Sequence, residues 1–344
     1  HWSAFPPARL VLPDLLVSRI GENAWVTAVD RPDERESDRT FVRRMRERVN
    51  EAIASADAGA ASAPRRAATT DHHIVTDDAH DAYLERVGSV LRGIGAGEFE
   101  KVVVARSIAI RRPGGFDPAV ILASLRDTYP SCTAFSVQRG DATFLGATPE
   151  LLVRVAGDRV ETTALAGSAP RGRDPDEDAR IGRALIESKK EQNEHAVVVR
   201  ALRDALAPCC NELDVPESPR LLQVDGIQHL ETPILGLLEA KHSAIELAGR
   251  LHPTPSVGGA PNTAALEWLK REEGLERGWY AGAVGTLDAA GGGEFSVALR
   301  SALLLRDEAR LFAGAGIVEG SDPAAERQET RLKLWALLHP LLDI

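Results

Sequence analysis

Cysteine is scarce in this sequence: three among 344 residues, at Cys132, Cys209 and Cys210. Three are too few for a disulfide framework, the adjacent pair is badly placed to bond to itself, and no CxxC spacing suggests zinc. That usage points to a reducing compartment, so a cytoplasmic location is expected. Long apolar runs are missing too, which argues against a membrane-spanning helix, and no signal-peptide pattern opens the chain. The sequence begins at His1 rather than Met, and a missing N-terminal piece is expected. Positive charge is in deficit. A net charge of -10 argues against a nucleic-acid partner and against a membrane-surface patch. No P-loop, Rossmann glycine fingerprint or nucleophile elbow occurs, which removes the chemistries those motifs carry.

What is present is the composition of a globular protein, 44% hydrophobic and 27% charged, long enough for one large core or two modest ones. Residues 54 to 71, "ASADAGAASAPRRAATTD", lack periodicity and read as a mobile surface connection. From about residue 98 the patterning is dense, with no repeat of fixed period. "KVVVARSIAI" from Lys101 predicts a buried strand, and "DPAVILASLRDTYP" a helix opened by Asp-Pro. Short strands are expected at "TAFSVQ", "ATFLGAT", "ELLVRV" and "RVETTAL". Helical stretches follow at roughly 176 to 207 and 240 to 273, the second broken by "HPTPSVGGAPNT". Three closing strands, "WYAGAVGTLD", "GEFSVALRSALLL" and "ARLFAGAGIV", include a hairpin at "AAGGG". Grouped strands with segregated helices predict an α+β fold of mainly antiparallel sheet, expected as a large two-sheet sandwich core flanked by helices. One structural domain is expected, with residues 1–95 as its N-terminal part and 96–344 as its core.

Two helices carry an unusual face. Positions 187, 191, 194, 198, 201 and 205 read Glu, Glu, Glu, Val, Ala, Ala, and positions 326, 329, 333 and 337 read Glu, Glu, Lys, Leu. Taken singly, each is equally a solvated helix start where acids favour the dipole. Taken together, acids that continue a buried stripe need neutralising. Lys333 serves Glu329, but acids outnumber bases, and a hard divalent cation such as Mg²⁺ would satisfy the surplus. Arg300, on the predicted strand "EFSVALRSALL", is either a solvent-facing residue or a two-point clamp for a carboxylate. "GAGI" at 314–317 is either a tight turn or a close backbone approach to an anion. Lys101 is a strand gatekeeper or a buried amine able to act as a general base, and Glu150 after Pro149 is similarly ambiguous. His195, His229 and His252 lack metal-ligand spacing, so hydrogen-bonding roles are expected.

The segments "FEKVVVARS", "FLGATPELLVR", "TALAGSAPRG", "KKEQNEHAVVV", "QHLETPI", "LHPTPSVGG", "RGWYAGAVG", "GEFSVALRSA" and "FAGAGIVEGSDPAAERQETRLK", in that order, resemble the chorismate-utilising enzymes. These include the isochorismate, salicylate, anthranilate and aminodeoxychorismate synthases. "HPTP" with "KVVVARS" resembles the isochorismate synthases most. The resemblance implies that Lys101 activates water and that Glu150 protonates a departing C4 hydroxyl. It implies that Glu194 and Glu329 bind Mg²⁺ as cofactor, with Glu191 and Glu326 supporting. Substrate carboxylates would meet Arg300, Lys333, Gly314, Gly316 and, by analogy, Tyr280. His229 falls on the family's active-site histidine, and Gly167 on the motif near the metal-bound end of the substrate. Ser256 stands where isochorismate synthases commonly have Ala and salicylate synthases Thr, followed by Val257. The expected activity is Mg²⁺-dependent conversion of chorismate to isochorismate, for siderophore or menaquinone synthesis. The alternatives are a salicylate synthase that also releases pyruvate and an ammonia-using synthase. A monomer is expected, or a weak homodimer.

Overall fold

The structure, a computed structural model, describes residues 1–61, 73–76 and 80–342. The chain groups into two compact units, Pro6–Ala68 and His1–Phe5 with Thr69–Ile344. The smaller unit holds a hairpin, Leu15–Ile20 paired with Asn23–Ala28, and the helix Asp38–Ala61. Arg44 bridges Asp30 at 2.6 Å and Glu36 at 2.8 Å ahead of that helix. Residues 54–61, read from composition as part of a connection, are helical instead. Alanine has the highest helix propensity, and the composition there is alanine-rich before it is loop-like. Residues 62–71 of the same expected connection lie outside the described residues.

The larger unit is built on two antiparallel seven-stranded sheets. One runs Gly259–Ala260, Lys101–Arg111, Glu308–Ile317, Ser301–Leu305, Ala142–Thr148, Thr133–Arg139, and His73–Thr76 also pairs with the Lys101 strand. The other runs Arg220–Val224, Ile227–Leu238, Arg159–Pro170, Leu151–Ala156, Gly293–Val297, Ala283–Leu287, with Cys210–Asp214 added on the Ile227 strand. Apolar residues of both sheets share one core: Phe144, Leu303 and Phe312 from the first lie with Leu152, Val155 and Ile234 from the second. Each such side chain contributes roughly 1.5–3 kcal/mol by leaving water. Trp2 closes one end, packed edge-on against Phe144 at 5.3 Å between centroids.

The expected α+β class and antiparallel pairing are what the structure has. Two elements differ from expectation in ways that shape the site. "GEFSVALRSALLL" is not one strand: Gly293–Val297 belongs to one sheet and Ser301–Leu305 to the other. The chain crosses between them at 298–300, with Arg300 at φ 45°. Arg300 therefore stands at a crossover and not on an alternating strand face. A bulky residue in left-handed conformation is strained, and such strain concentrates at functional sites. The helical stretch from 176 breaks at Ser188, giving Pro175–Glu187 and Lys189–Leu206. Ser188 caps the second helix by accepting from the Glu191 N–H, so Glu187 leaves the acidic face assigned to it.

Candidate active site

Lys101 is the first residue of its strand and is completely buried. Its Nζ lies 2.9 Å from Glu194 Oε1. The neighbouring strand makes room for this pair with Gly316: a Cβ there would overlap Glu194 Oε1 and come within 2.7 Å of Lys101 Cε. Glycine is required here by space, since the main chain passes against a buried ion pair. Glu194 comes from the helix Lys189–Leu206, which His195 pins to the sheet. His195 Nδ1 meets the Ala166 carbonyl at 3.2 Å and Nε2 meets Thr232 Oγ1 at 2.7 Å. Burial pushes the His195 pKa down to about 4. The neutral ring donates from Nδ1 to the carbonyl and accepts at Nε2 from the hydroxyl.

Glu150 occupies the turn between Ala142–Thr148 and Leu151–Ala156, 3% exposed. The Ser256 hydroxyl donates to its Oε1, and Thr254 Oγ1 stands 3.5 Å from the same oxygen. Burial raises the Glu150 pKa to about 7, against the lowering pull of Ser256, Lys101, Lys333 and Thr254. Glu194 responds differently. Burial pushes it up, but Lys101, Lys190 and Lys333 outweigh that, and it sits below the ordinary carboxylate range.

The C-terminal helix Pro323–Leu342 brings Glu326, Glu329 and Lys333. Its acidic first turns face this site and Leu337 faces the core, so one stripe serves both. Lys333 Nζ binds Glu329 at 2.6 Å and the Gly314 carbonyl at 3.0 Å. Tyr280, stacked on Phe312, lies beside Gly314: a Cβ on that glycine would stand 3.2 Å from the Tyr280 hydroxyl. Lys190 spans the two helices, 3.0 Å from Glu191 and 2.7 Å from Glu326. Glu326 is 1% exposed; burial, then the charge of Glu329, raises its pKa to about 7. Glu191 is also raised, by burial and by Glu194. Its Oε2 is buried with no hydrogen-bond partner, next to Gly167, where a Cβ would come within 3.1 Å of it. Gly167 sits at φ 79°, a conformation that favours glycine.

His229 has Ser168 Oγ 2.9 Å from Nδ1 and Arg300 Nη2 3.0 Å from Nε2. Burial, then the positive charges of Arg300 and Lys333, hold it well below its ordinary pKa. Arg300 can only donate, so Nε2 accepts and the proton is on Nδ1. Val257 is buried in the main core, its carbonyl accepting from Arg277 at 2.7 Å. Lys101, Glu150, Gly167, Glu191, Glu194, His229, Ser256, Tyr280, Arg300, Gly314, Gly316, Glu326, Glu329 and Lys333 are thus linked by direct contact or mutual charge. Among the described residues no three His, Cys, Asp or Glu side chains form a group able to hold a metal ion unaided. Sequence reasoning passed over Thr254, Lys190, Ser168 and Arg277. Lys190 had a signal, a cation beside the acidic face, and Arg277 had another, Glu273 four residues before it; the site partners of Thr254 and Ser168, Glu150 and His229, come from remote segments.

Residues 1–342 match the family described as chorismate binding enzyme. The chain belongs to that family. It is 39% identical over 354 aligned positions to the "Salicylate biosynthesis isochorismate synthase" of Pseudomonas aeruginosa, covering 100% of this chain and 71% of that protein. It is 37% identical over 261 positions to "Isochorismate synthase MenF" of Bacillus subtilis, covering 76% of this chain and 55% of that protein. Among solved structures, MenF, the menaquinone-specific isochorismate synthase from Escherichia coli, superposes with a TM-score of 0.72 at 33% identity, covering 80% of this chain and 63% of that one. The chain therefore spans 55% to 71% of the length of these relatives. No helix among its described residues is long and apolar enough to cross a membrane.

Proposed function

We propose that this chain is an isochorismate synthase, converting chorismate to isochorismate. The observation that carries the reading is a buried amine and a buried carboxylic acid in one site, Lys101 and Glu150, with the acid's pKa near 7. Water adds at C2 of the ring as the double bonds shift and the C4 hydroxyl departs. Lys101, in its free-amine form, takes a proton from the incoming water and so restores the ion pair with Glu194 at 2.9 Å. Glu150 gives its proton to the leaving oxygen, so one water enters and one leaves. A group with a pKa near the working pH is suited to this task, and each such transfer contributes on the order of 10²–10⁴-fold. Arg300, Lys333 and the Gly314–Gly316 backbone hold the substrate carboxylates, with Tyr280 alongside, which is how a protein of net charge -10 accepts a dianion. Neutral His229 positions the Arg300 guanidinium by accepting its N–H.

The acidic end of the site fits Mg²⁺. Its donors are all carboxylate oxygens, Glu191 Oε2 is buried without a partner, and two of the carboxyls are raised by burial and mutual repulsion. Glu194 and Glu329 would hold the ion, with Glu191 and Glu326 supporting, in keeping with the one or two carboxylates Mg²⁺ commonly takes. When bound, Mg²⁺ supplies positive charge against these acids and a substrate carboxylate.

Incubation with chorismate and Mg²⁺, with products resolved by chromatography, tests the reading. Isochorismate without pyruvate is expected. Pyruvate release would make the chain a salicylate synthase, the case Ser256 raises, and ammonia-dependent product would make it an amine-adding synthase. We further place the enzyme in the cytoplasm, as a monomer, in siderophore or menaquinone synthesis, the second named by one relative's own description.

A further inference from the structure

A gap along one edge of the Lys101 strand is filled by side chains. Gly259–Ala260 pairs with its start, at Val102 and Lys101, and His73–Thr76 pairs with its far end from Ile108. Between them, on the same edge, Val103 N–H donates to the Gly258 carbonyl at 2.9 Å. The Val103 carbonyl then accepts from Arg277 Nη2 at 2.8 Å, and Ala105 N–H donates to Glu273 Oε1 at 2.8 Å. Glu273 and Arg277 are themselves joined fork to fork, at 2.6 Å and 2.5 Å. The pair therefore takes the place of a strand along an edge whose backbone groups need partners.

The same guanidinium reaches further. Its Nη1 donates to the Val257 carbonyl at 2.7 Å. Val257 belongs to a turn in which its own N–H and that of Gly258 both bond the Thr254 carbonyl, at 3.1 Å and 2.9 Å. That turn carries the Thr254 and Ser256 hydroxyls, 2.5 Å apart, against Glu150. Arg277 also accepts the Tyr280 N–H at its carbonyl, at 3.0 Å.

We propose that Glu273 and Arg277 are positioning residues for the acid of the reaction, clamping the Thr254–Gly258 turn to the Lys101 strand and thereby setting two hydroxyls on Glu150. The inference rests on the reading of Glu150 given above, but the geometry it concerns is separate from turnover. The groups facing Glu150 are Ser256 and Thr254 from the turn, Lys101 from its strand, Lys333 from the C-terminal helix, and Tyr280. Only the first two are carried by the clamped turn.

Arg277→Lys is the decisive variant. Lysine keeps the charge beside Glu273 but offers donors from a single point, so it cannot serve Glu273, Val103 and Val257 together. Titration of ¹³C-labelled glutamate by NMR, with the Glu150 signal assigned from Glu150→Gln, reads the acid directly without any reaction. The Glu150 midpoint is expected to rise by about one pH unit in Arg277→Lys, as a hydrogen bond to the charged form is lost. Most of that rise should vanish in the Ser256→Ala background, where Arg277 has little left to act through. With chorismate as substrate, kcat should fall by about tenfold or more while KM stays within about threefold. An unmoved midpoint in Arg277→Lys, or an equal rise in both backgrounds, would overturn the proposal and leave the pair a support of the sheet edge alone. If Arg277→Lys does not fold, Glu273→Gln, which breaks the charged fork that aims the Arg277 guanidinium at both carbonyls, goes through the same cycle and is read by the same criteria. A protein that leaves chorismate untouched would refute the functional reading, and the NMR cycle would still decide on the clamp.

Discussion

Glu150 and Glu194 are the same residue type in the same site, held in different states by their neighbours. Burial dominates at Glu150 and raises its pKa to about 7. At Glu194 the nearby lysines prevail and lower it. Such divergence is how one pocket supplies both a proton donor and a fixed anion. Because the role proposed for Glu150 requires its protonated form, kcat/KM should fall as pH rises through about 7. Ser256 donates to the ionised form, so Ser256→Ala should move that limb to higher pH; a pH–rate profile of both proteins checks the sign. Replacing the proposed base, Lys101→Gln, should lower kcat on the order of 10²–10⁴-fold. The same change leaves Glu194 without its 2.9 Å partner, so chemical denaturation should also show a loss of stability, as expected when one member of a buried pair is removed. Near-normal turnover would remove Lys101 from its role.

The helix Lys189–Leu206 is the element on which the acidic end depends. Its first turns aim Glu191 and Glu194 inward, and Ser188 satisfies the Glu191 N–H at its start. Ser188→Ala should lower stability by about 1 kcal/mol, the usual value of such a cap, measured by urea unfolding. Periodicity predicted a helical region here but ran it through residue 188, because the hydrophobic pattern continues where hydrogen bonding does not. The helix Pro118–Thr128 was better marked, with Asp117 accepting from the Ala119 and Val120 N–H groups as a sequence of Asp-Pro suggests. The strand through Arg300 shows the opposite failure. Its apolar run is continuous, yet its halves join different sheets, and only the crossing at 298–300 turns Arg300 towards His229.

At the scale of the whole molecule, acids from two helices remote in sequence stand within reach of the charge of four cations: Lys101, Lys190, Arg300 and Lys333. Divalent ion binding there should stabilise the fold by mass action, by roughly 2.7 kcal/mol at a hundredfold excess over Kd. Thermal unfolding with and without Mg²⁺ should show this, and Glu329→Gln should reduce it together with the affinity read by calorimetry. Unchanged affinity in that variant would count against Glu329 as a ligand.

The ordered motifs, the periodicities of 2 and 3.6 residues and the turn chemistry were enough for the fold class, the main strands and the residue types of the site, since each is a local property or a resemblance carried by contiguous segments. Which acids are raised and which lowered, which nitrogen of His229 bears the proton, where Arg300 crosses and how Arg277 ties Val257 to Val103 were decided only in three dimensions. These depend on burial and on charges brought close by packing, between groups as far apart in sequence as Lys101 and Glu194, and no local pattern encodes such distances.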